Sequence, residues 1–296
     1  MFPILEIIVA SIIRGSLYVL ISASLALLLG MISVSSFIHG DMAMLGGYMT
    51  YFALTQLGLD PITGIALTGA VMFFVGCFIE KSLLLPLRRI SGKLWMFNTF
   101  VFTLGISQIL QNGALIGFGP MFKGVQSLWP GEVNIFWITT SMDRMVILFS
   151  SIAILILLWA FLKYTKLGRA VRAVGINEEA VPLFGINVNW IYMFTFGISG
   201  LLAGVAGAFY MVLFTTYPLV GVTWNQKAWI VITIAGLGNV KGAVYCSFLL
   251  SLIETLAYYT LSAGWQSVIV VILVILILLF KPTGLFGTEV KGLWER

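Results

Sequence analysis

The sequence predicts an all-α, polytopic bundle of about eight or nine membrane spans, some of them broken or re-entrant. Three observations carry that expectation. Of 296 residues, 60% are hydrophobic and only 9% charged, whereas a soluble domain averages about 45–50% apolar and about 25% charged. So few charges cannot build a water-exposed surface, so hydrocarbon is the solvent for most of the chain. Apolar runs near the roughly 20 residues that a span needs recur along the whole sequence. The cations, finally, are bunched between those runs.

The runs lie at 4–30, 37–57, 61–80, 95–118, 145–163, 190–216, 228–262 and 265–281. The opening Met1-Phe2-Pro3-Ile4 brings no basic segment and no small-residue cleavage site follows, so the first run is expected to stay as a span. The 228–262 run is too long for one ordinary helix, and Gly236-Leu237-Gly238-Asn239-Val240-Lys241-Gly242 interrupts it. It reads as two passes, or as a re-entrant leg followed by a helix. The 37–57 run carries a similar interruption near His39-Gly40-Asp41, followed by Gly46-Gly47. Breaks in a membrane free backbone groups that protein or a water-filled cavity must satisfy, and paired breaks point to a translocation path. His39, Gly40, Asp41, Gly46, Gly236, Gly238 and Gly242 are the candidates for lining one, against a tight turn needed only for packing.

Eleven of the 16 Lys and Arg fall in three segments: Lys81, Arg88, Arg89 and Lys93; Lys163, Lys166, Arg169 and Arg172; Lys281, Lys291 and Arg296. By the positive-inside rule all three face the cytoplasm, including the C-terminus. The segment 119–144 then faces outward. Trp129, Trp137, Pro120 and Pro130 make it an interfacial loop with an aromatic belt, or a docking surface for an extracytoplasmic partner. The whole of 1–296 is expected to be a single membrane domain with a cytoplasmic loop at 163–190.

Gly197, Gly200, Gly204 and Gly207, with Ala203, form a stripe of small residues along one helix face. Lipid supplies no hydrophobic drive for helix association, so close backbone approach must supply contact. The stripe serves packing inside the subunit, or between subunits.

Several chemistries are disfavoured. The chain has no G-x-x-x-x-G-K-[ST] motif, hence no phosphate loop of its own. Cys77, Cys246 and the lone His39 suggest neither a disulfide nor a metal site. Gly197-Ile198-Ser199-Gly200 matches the G-x-S-G of rhomboid-type proteases, but its only histidine lies far upstream, and the nucleophile needs a base within hydrogen-bond reach. The ionisable residues within runs are Glu6, Arg14, Asp41 and Glu254, too sparse for an ion relay. Arg14 and Glu254 are candidates to pair with each other. A carrier or channel working alone remains an alternative.

The loop at 163–190 alternates basic residues with Leu167, Ala170, Val171 and Val174 at helical spacing. Asn177 is placed to cap a short helix, Glu178 and Glu179 to open it and Gly185 to end it. An amphipathic helix outside the membrane needs a surface, either lipid headgroups or a groove on a partner protein.

Here the residues resemble a known family. Glu179-Ala180-Val181-Pro182-Leu183-Phe184-Gly185 is similar to the E-A-A-x-x-x-G coupling loop of ABC importer permeases, with Val181 departing from the second Ala. Thr165-Lys166-Leu167-Gly168-Arg169-Ala170-Val171-Arg172-Ala173 resembles T-x-x-G-R-A-x-R-A of the branched-chain amino acid permeases. So do the segments Gly15–Leu20, Phe37–Tyr48 and Lys281–Gly287, in the right order over nearly the whole chain. Ser36 stands where that family has Asn, and Lys241 where it has Pro. The resemblance implies a permease subunit in a bacterial cytoplasmic membrane. It would form half the path for a branched-chain or other amino acid; urea or short amides are the alternative. It implies a second permease subunit, two ATPase subunits that bind the ATP, and an extracytoplasmic solute-binding protein. The chain itself would hold no cofactor and do no catalysis. Arg169, Arg172, Glu178, Glu179, Ala180 and Gly185 are the coupling candidates, the two arginines orienting the loop by phosphate or acidic contacts.

Overall fold

The computed structural model describes residues 2–32, 34–135, 138–262 and 264–287. Trp137, Lys291 and Arg296 lie outside them. The chain begins with α1 (Phe2–Ile32), α2 (His39–Thr55) and α3 (Pro61–Ile79). A π-helical turn at Glu80–Leu84 carries α3 without interruption into α4 (Leu85–Ser91). Then come α5 (Trp95–Phe118), a hairpin of β1 (Glu132–Ile135) and β2 (Ile138–Ser141), α6 (Met142–Tyr164) and α7 (Lys166–Ile176). A 3-10 turn at Val181–Phe184 leads to α8 (Val188–Leu213), α9 (Val220–Ala235), α10 (Val240–Thr260) and α11 (Trp265–Phe280).

Six of these are long and apolar enough to cross a membrane: α1, α3 with α4, α5, α6, α8 and α10. The other three apolar helices, α2, α9 and α11, have 17, 16 and 16 residues. At 1.5 Å per residue they reach about 24–26 Å, short of the roughly 30 Å hydrocarbon core. The fold is therefore the helical membrane bundle that the composition demands, with its span count near the expected one.

The hairpin is a departure from the expected loop. β1 and β2 pair antiparallel, Glu132 opposite Ser141, and Asp143 Oδ1 accepts the Trp129 amide at 2.9 Å. Lys123 and Thr216 exchange a bridge that ties the same segment to the α8–α9 connection. Strand pairing meets the backbone's hydrogen-bond demand where the chain leaves its helices.

Contacts along α1 fix the bundle's direction. Going down α1, Glu6 receives Tyr259 Oη at 3.2 Å, Ser22 meets Ser247 at 2.8 Å, and Gly30 lies against the Gly238 backbone. Hence α1 and α10 run antiparallel. The end holding Gly30 and Gly238 also holds Arg88, Lys163, Arg172 and Lys281, and is called the basic end; the opposite one is the hairpin end. The buried core runs through Leu20, Leu25 and Leu28 of α1, Met42 of α2 and Phe196 of α8, all fully covered.

Glycines make α8 the hub. Gly204 and Gly46 bring the α8 and α2 backbones together, and Gly207 lies on the Ala43 carbonyl. Gly197 and Gly200 receive Phe73, Cys77 and Met72 of α3. The stripe thus lies between helices of this one chain.

Candidate functional site

Two places concentrate polar chemistry: a junction deep in the bundle and a loop at the basic end.

The junction forms because α2 and α9 both start inside the protein. The stretch before α2 is not helical, and α2 opens at His39 with His39, Gly40 and Asp41 all in its first turn and fully buried. The expected interruption therefore lies ahead of His39, not around it, and Gly46 sits in mid-helix against Gly204. Facing the α2 start is the first turn of α9, with Gly221 against Asp41. Two positive helix ends converge on one carboxylate, which suits the sign of each dipole.

Asn225 of α9 is the knot. Its Oδ1 accepts the Gly40 amide at 2.8 Å, and its Nδ2 donates to the Phe37 carbonyl and to Asp41 Oδ2 at 3.5 Å. Gln111 of α5 donates to Asp41 Oδ1 and to Ser107, both at 2.9 Å. Thr103 Oγ1 accepts the Phe37 amide at 3.2 Å. Thr99, Thr103, Ser107 and Gln111 are all buried, at four-residue spacing on one face of α5. Thr103 of this polar ladder and Asn225 meet the Phe37 and Gly40 backbone groups that the broken segment leaves open. Asn225, Gln111 and the ladder were not among the sequence candidates. The signal was there: polar residues at helical spacing in the 95–118 run, and a polar stretch before residue 228.

His39 and Ser199 are 160 positions apart yet bonded, Nε2 to Oγ at 2.7 Å, and Ser199 also donates to the Ser24 carbonyl at 2.8 Å. The expectation that the histidine lies out of reach is corrected. The pair is a pin among α1, α2 and α8: both residues are fully buried and neither lines either of the described cavities.

Glu254 pairs with Lys227 and accepts Tyr18 Oη at 2.7 Å; it does not pair with Arg14. The correction follows from α9 starting at Val220, eight residues before the apolar run, which brings Lys227 inside the bundle.

At the basic end, α7 is amphipathic as its spacing demands. Thr165 Oγ1 caps it by accepting the Gly168 amide at 2.9 Å. Its apolar face, centred on Val171 and Val174, is buried against α1, α6 and α8, so this face meets neither headgroups nor a partner. Arg172 donates to the Leu162 carbonyl and Arg169 lies 3.5 Å from the Tyr164 carbonyl. Both guanidiniums sit at the negative end of α6 instead of on an acid or phosphate. Asn177 Oδ1 accepts the Glu179 and Ala180 amides at 3.1 Å. Gly185 closes the 3-10 turn at φ +75°, a left-handed conformation that glycine adopts without cost. Glu178 reaches back to Tyr192 Oη at 2.8 Å. The Tyr192 ring carries the Arg88 guanidinium at 3.7 Å, and Arg88 pairs with Glu80. A chain of contacts thus ties the loop to α8, α4 and the π-helical turn. Its outer surface presents Ile176, Leu183 and Phe184, exposed by 86%, 85% and 81%.

A cavity of about 1240 Å³ opens beside this loop, lined by Trp159, Lys163, Arg172, Trp229, Gly238 and Lys241. Asn239 Oδ1 caps α10 through the Gly242 amide, and its Nδ2 holds the Phe286 carbonyl at 2.8 Å. Gly236, at φ +98°, lies on the Thr283 and Gly287 backbone. Of the Gly-rich break, Gly238 reaches the cavity, while Gly236 and Gly242 pack on the 283–287 segment.

Beyond its buried ladder much of α5 is bare, on the ladder's flank as well as opposite it. Gln108 and Asn112 are exposed, and a Cβ at Gly105, Gly113 or Gly117 would meet nothing among the described residues within 4 Å. Carboxamides in mid-span are costly against lipid.

A bundle of apolar helices, with interrupted elements in its interior and an apolar loop at its basic end, defines a multi-pass membrane transport protein. The chain belongs to the family described as branched-chain amino acid transport system, permease component, whose profile matches residues 7–279. It is 30% identical to the high-affinity branched-chain amino acid transport system permease protein BraD of Pseudomonas aeruginosa, over 92% of each chain. It is 28% identical to the corresponding LivH of Escherichia coli, again over 92% of each. The ribose import permease protein RbsC of Escherichia coli is 27% identical over 76% of this chain and 79% of that one. It is thus a permease subunit of an ABC transporter system that includes other subunits.

Proposed function

We infer that this chain forms one wall of an amino-acid import path, most directly for branched-chain amino acids, and that an ATPase subunit moves it through the loop at 176–185. The observation that carries this reading is the apolar knob of Ile176, Leu183 and Phe184 at the basic end. Three large apolar side chains fixed beside a capped turn are a docking surface. The positive-inside rule puts that end in the cytoplasm, where ATP is available. Glu179, Ala180 and Gly185 surround the knob; Glu178, Arg169 and Arg172 anchor it to the bundle. The bare face of α5 is the wall, completed by a second permease subunit, and the hairpin end receives solute from a binding protein. The BraD and LivH likenesses support branched-chain amino acids, and the RbsC likeness is a reason to test sugars alongside.

The experiment is uptake into vesicles holding this chain with co-expressed permease and ATPase subunits. ATP should drive leucine uptake, and a proton or sodium gradient alone should not. Gly185→Val should leave expression intact and separate ATP hydrolysis from uptake, since nothing among the described residues lies within 4 Å of its Cβ and only the left-handed backbone is strained. Gradient-driven uptake without nucleotide would favour a carrier acting alone.

A further inference from the structure

We propose that the cavity between α5 and the α8–α9 connection is a solute-contacting subsite, that it takes the ammonium and carboxylate ends of a zwitterionic amino acid, and that Gln108 and Asn112 determine its specificity. The proposal rests on the permease function inferred above.

The cavity holds about 220 Å³ and is lined by Gln108, Gln111, Asn112, Tyr217, Pro218 and Leu219, among others. That is below the roughly 300–1,000 Å³ of drug-sized sites and suits a small solute. Three carboxamides fall within little more than one turn of α5, and no charged side chain lines the cavity among the described residues. A zwitterion needs donors for its carboxylate and acceptors for its ammonium. Carboxamides offer both and are cheaper to desolvate than charges.

Their commitments sort the roles. Gln111 spends its Nε2 on Asp41 and Ser107, so Oε1 is its remaining acceptor, held in one orientation by the buried carboxylate behind it. Asn112 donates to the Gln108 backbone carbonyl at 2.8 Å, leaving its Oδ1 and one N–H. The Gln108 carboxamide supplies a second donor–acceptor pair. Pro218 and Leu219 bring the positive end of α9 to the same cavity, which favours a carboxylate there. Leu115 and Leu219 give an apolar wall for an aliphatic side chain.

The position suits a path. Between this cavity and the larger one at the basic end, α5 and α9 are bridged by Phe37, Phe100 and Trp229. Phe37 stacks on Trp229 at 5.1 Å, and Phe100 lies edge-on to both at 5.0 and 6.3 Å. A solute entering from the hairpin end meets the amides before it meets this aromatic floor.

The test uses the assembled transporter in vesicles with ATP. Asn112→Leu and Gln108→Leu should each raise the half-saturating leucine concentration about tenfold or more, the loss expected for one hydrogen bond to a charged group. ATPase co-purification should be unchanged, and Asn112→Gln should recover most of the affinity. The Asn112→Cys variant should react with a small polar thiol reagent, more slowly during leucine turnover, measured against the parent's own Cys77 and Cys246. Wild-type uptake with a concentration dependence unaltered by Asn112→Leu would overturn the subsite while leaving the permease intact. So would an Asn112→Cys variant inert with and without leucine, which would mean a helix or lipid covers the face. Failure of the wild type to take up any amino acid would sink both.

Discussion

Two glycine-bearing helices, α8 and α5, have opposite surroundings. Of their most apolar 18 residues, 78% are buried in α8 and 28% in α5. Each glycine of the α8 stripe meets a neighbouring helix, whereas Gly105, Gly113 and Gly117 of α5 meet nothing among the described residues. The same residue type therefore reports two different things. On α8 it marks contact made within the chain, and on α5 contact to be made with something else, whether solute, water or a second subunit. The polar residues divide likewise: Thr103, Ser107 and Gln111 of the buried ladder are bonded, and the exposed amides of Gln108 and Asn112 are largely uncommitted.

Substitutions can break this contrast. The largest effect belongs to Gly46→Leu, whose Cβ would fall on the Gly204 backbone. Side-chain overpacking costs about 1–3 kcal/mol; here backbone that cannot give way is struck and the two helices must part, so the variant should lose its monodisperse peak in detergent altogether. Lys227→Met should follow at about 3–5 kcal/mol, because it leaves Glu254 buried without its cation. Thermal unfolding should show a lowered midpoint, and adding Glu254→Gln should restore part of it. Ser199→Ala removes the His39 partner and should cost about 1–3 kcal/mol, while uptake persists; abolished uptake in a well-folded variant would give that pair a role beyond pinning helices. Smallest is Gly113→Ala, which should raise the melting point of the isolated chain by up to the equivalent of about 1 kcal/mol. A loss there would mean that α5 is already covered.

The sequence made the bundle legible through composition and run length, and the loop at 163–190 through capping residues and helical spacing. The break at Gly236 was legible for the same local reason, since glycine punctuates a helix wherever it occurs. What stayed hidden was long-range. Nothing near His39 announces Ser199, and nothing near Glu254 announces Lys227, because only the packing of α2 on α8 and of α9 on α10 brings them together. The α5 ladder lay in plain view, but an apolar run is read by its average, and four polar residues barely lower it. The start of α9 was misplaced because its first turns are polar: Asn225 there binds Asp41 and Lys227 binds Glu254.

The central claim is that an ATPase grips this chain from outside through Ile176, Leu183 and Phe184. It is tested most directly by Leu183→Ser with Phe184→Ser in the assembled transporter, reading ATPase co-purification and ATP-driven leucine uptake together. Both side chains are exposed, so the chain should fold and insert as before, lose the ATPase on purification and lose uptake. An ATPase still bound, with uptake at the wild-type rate, would contradict the account.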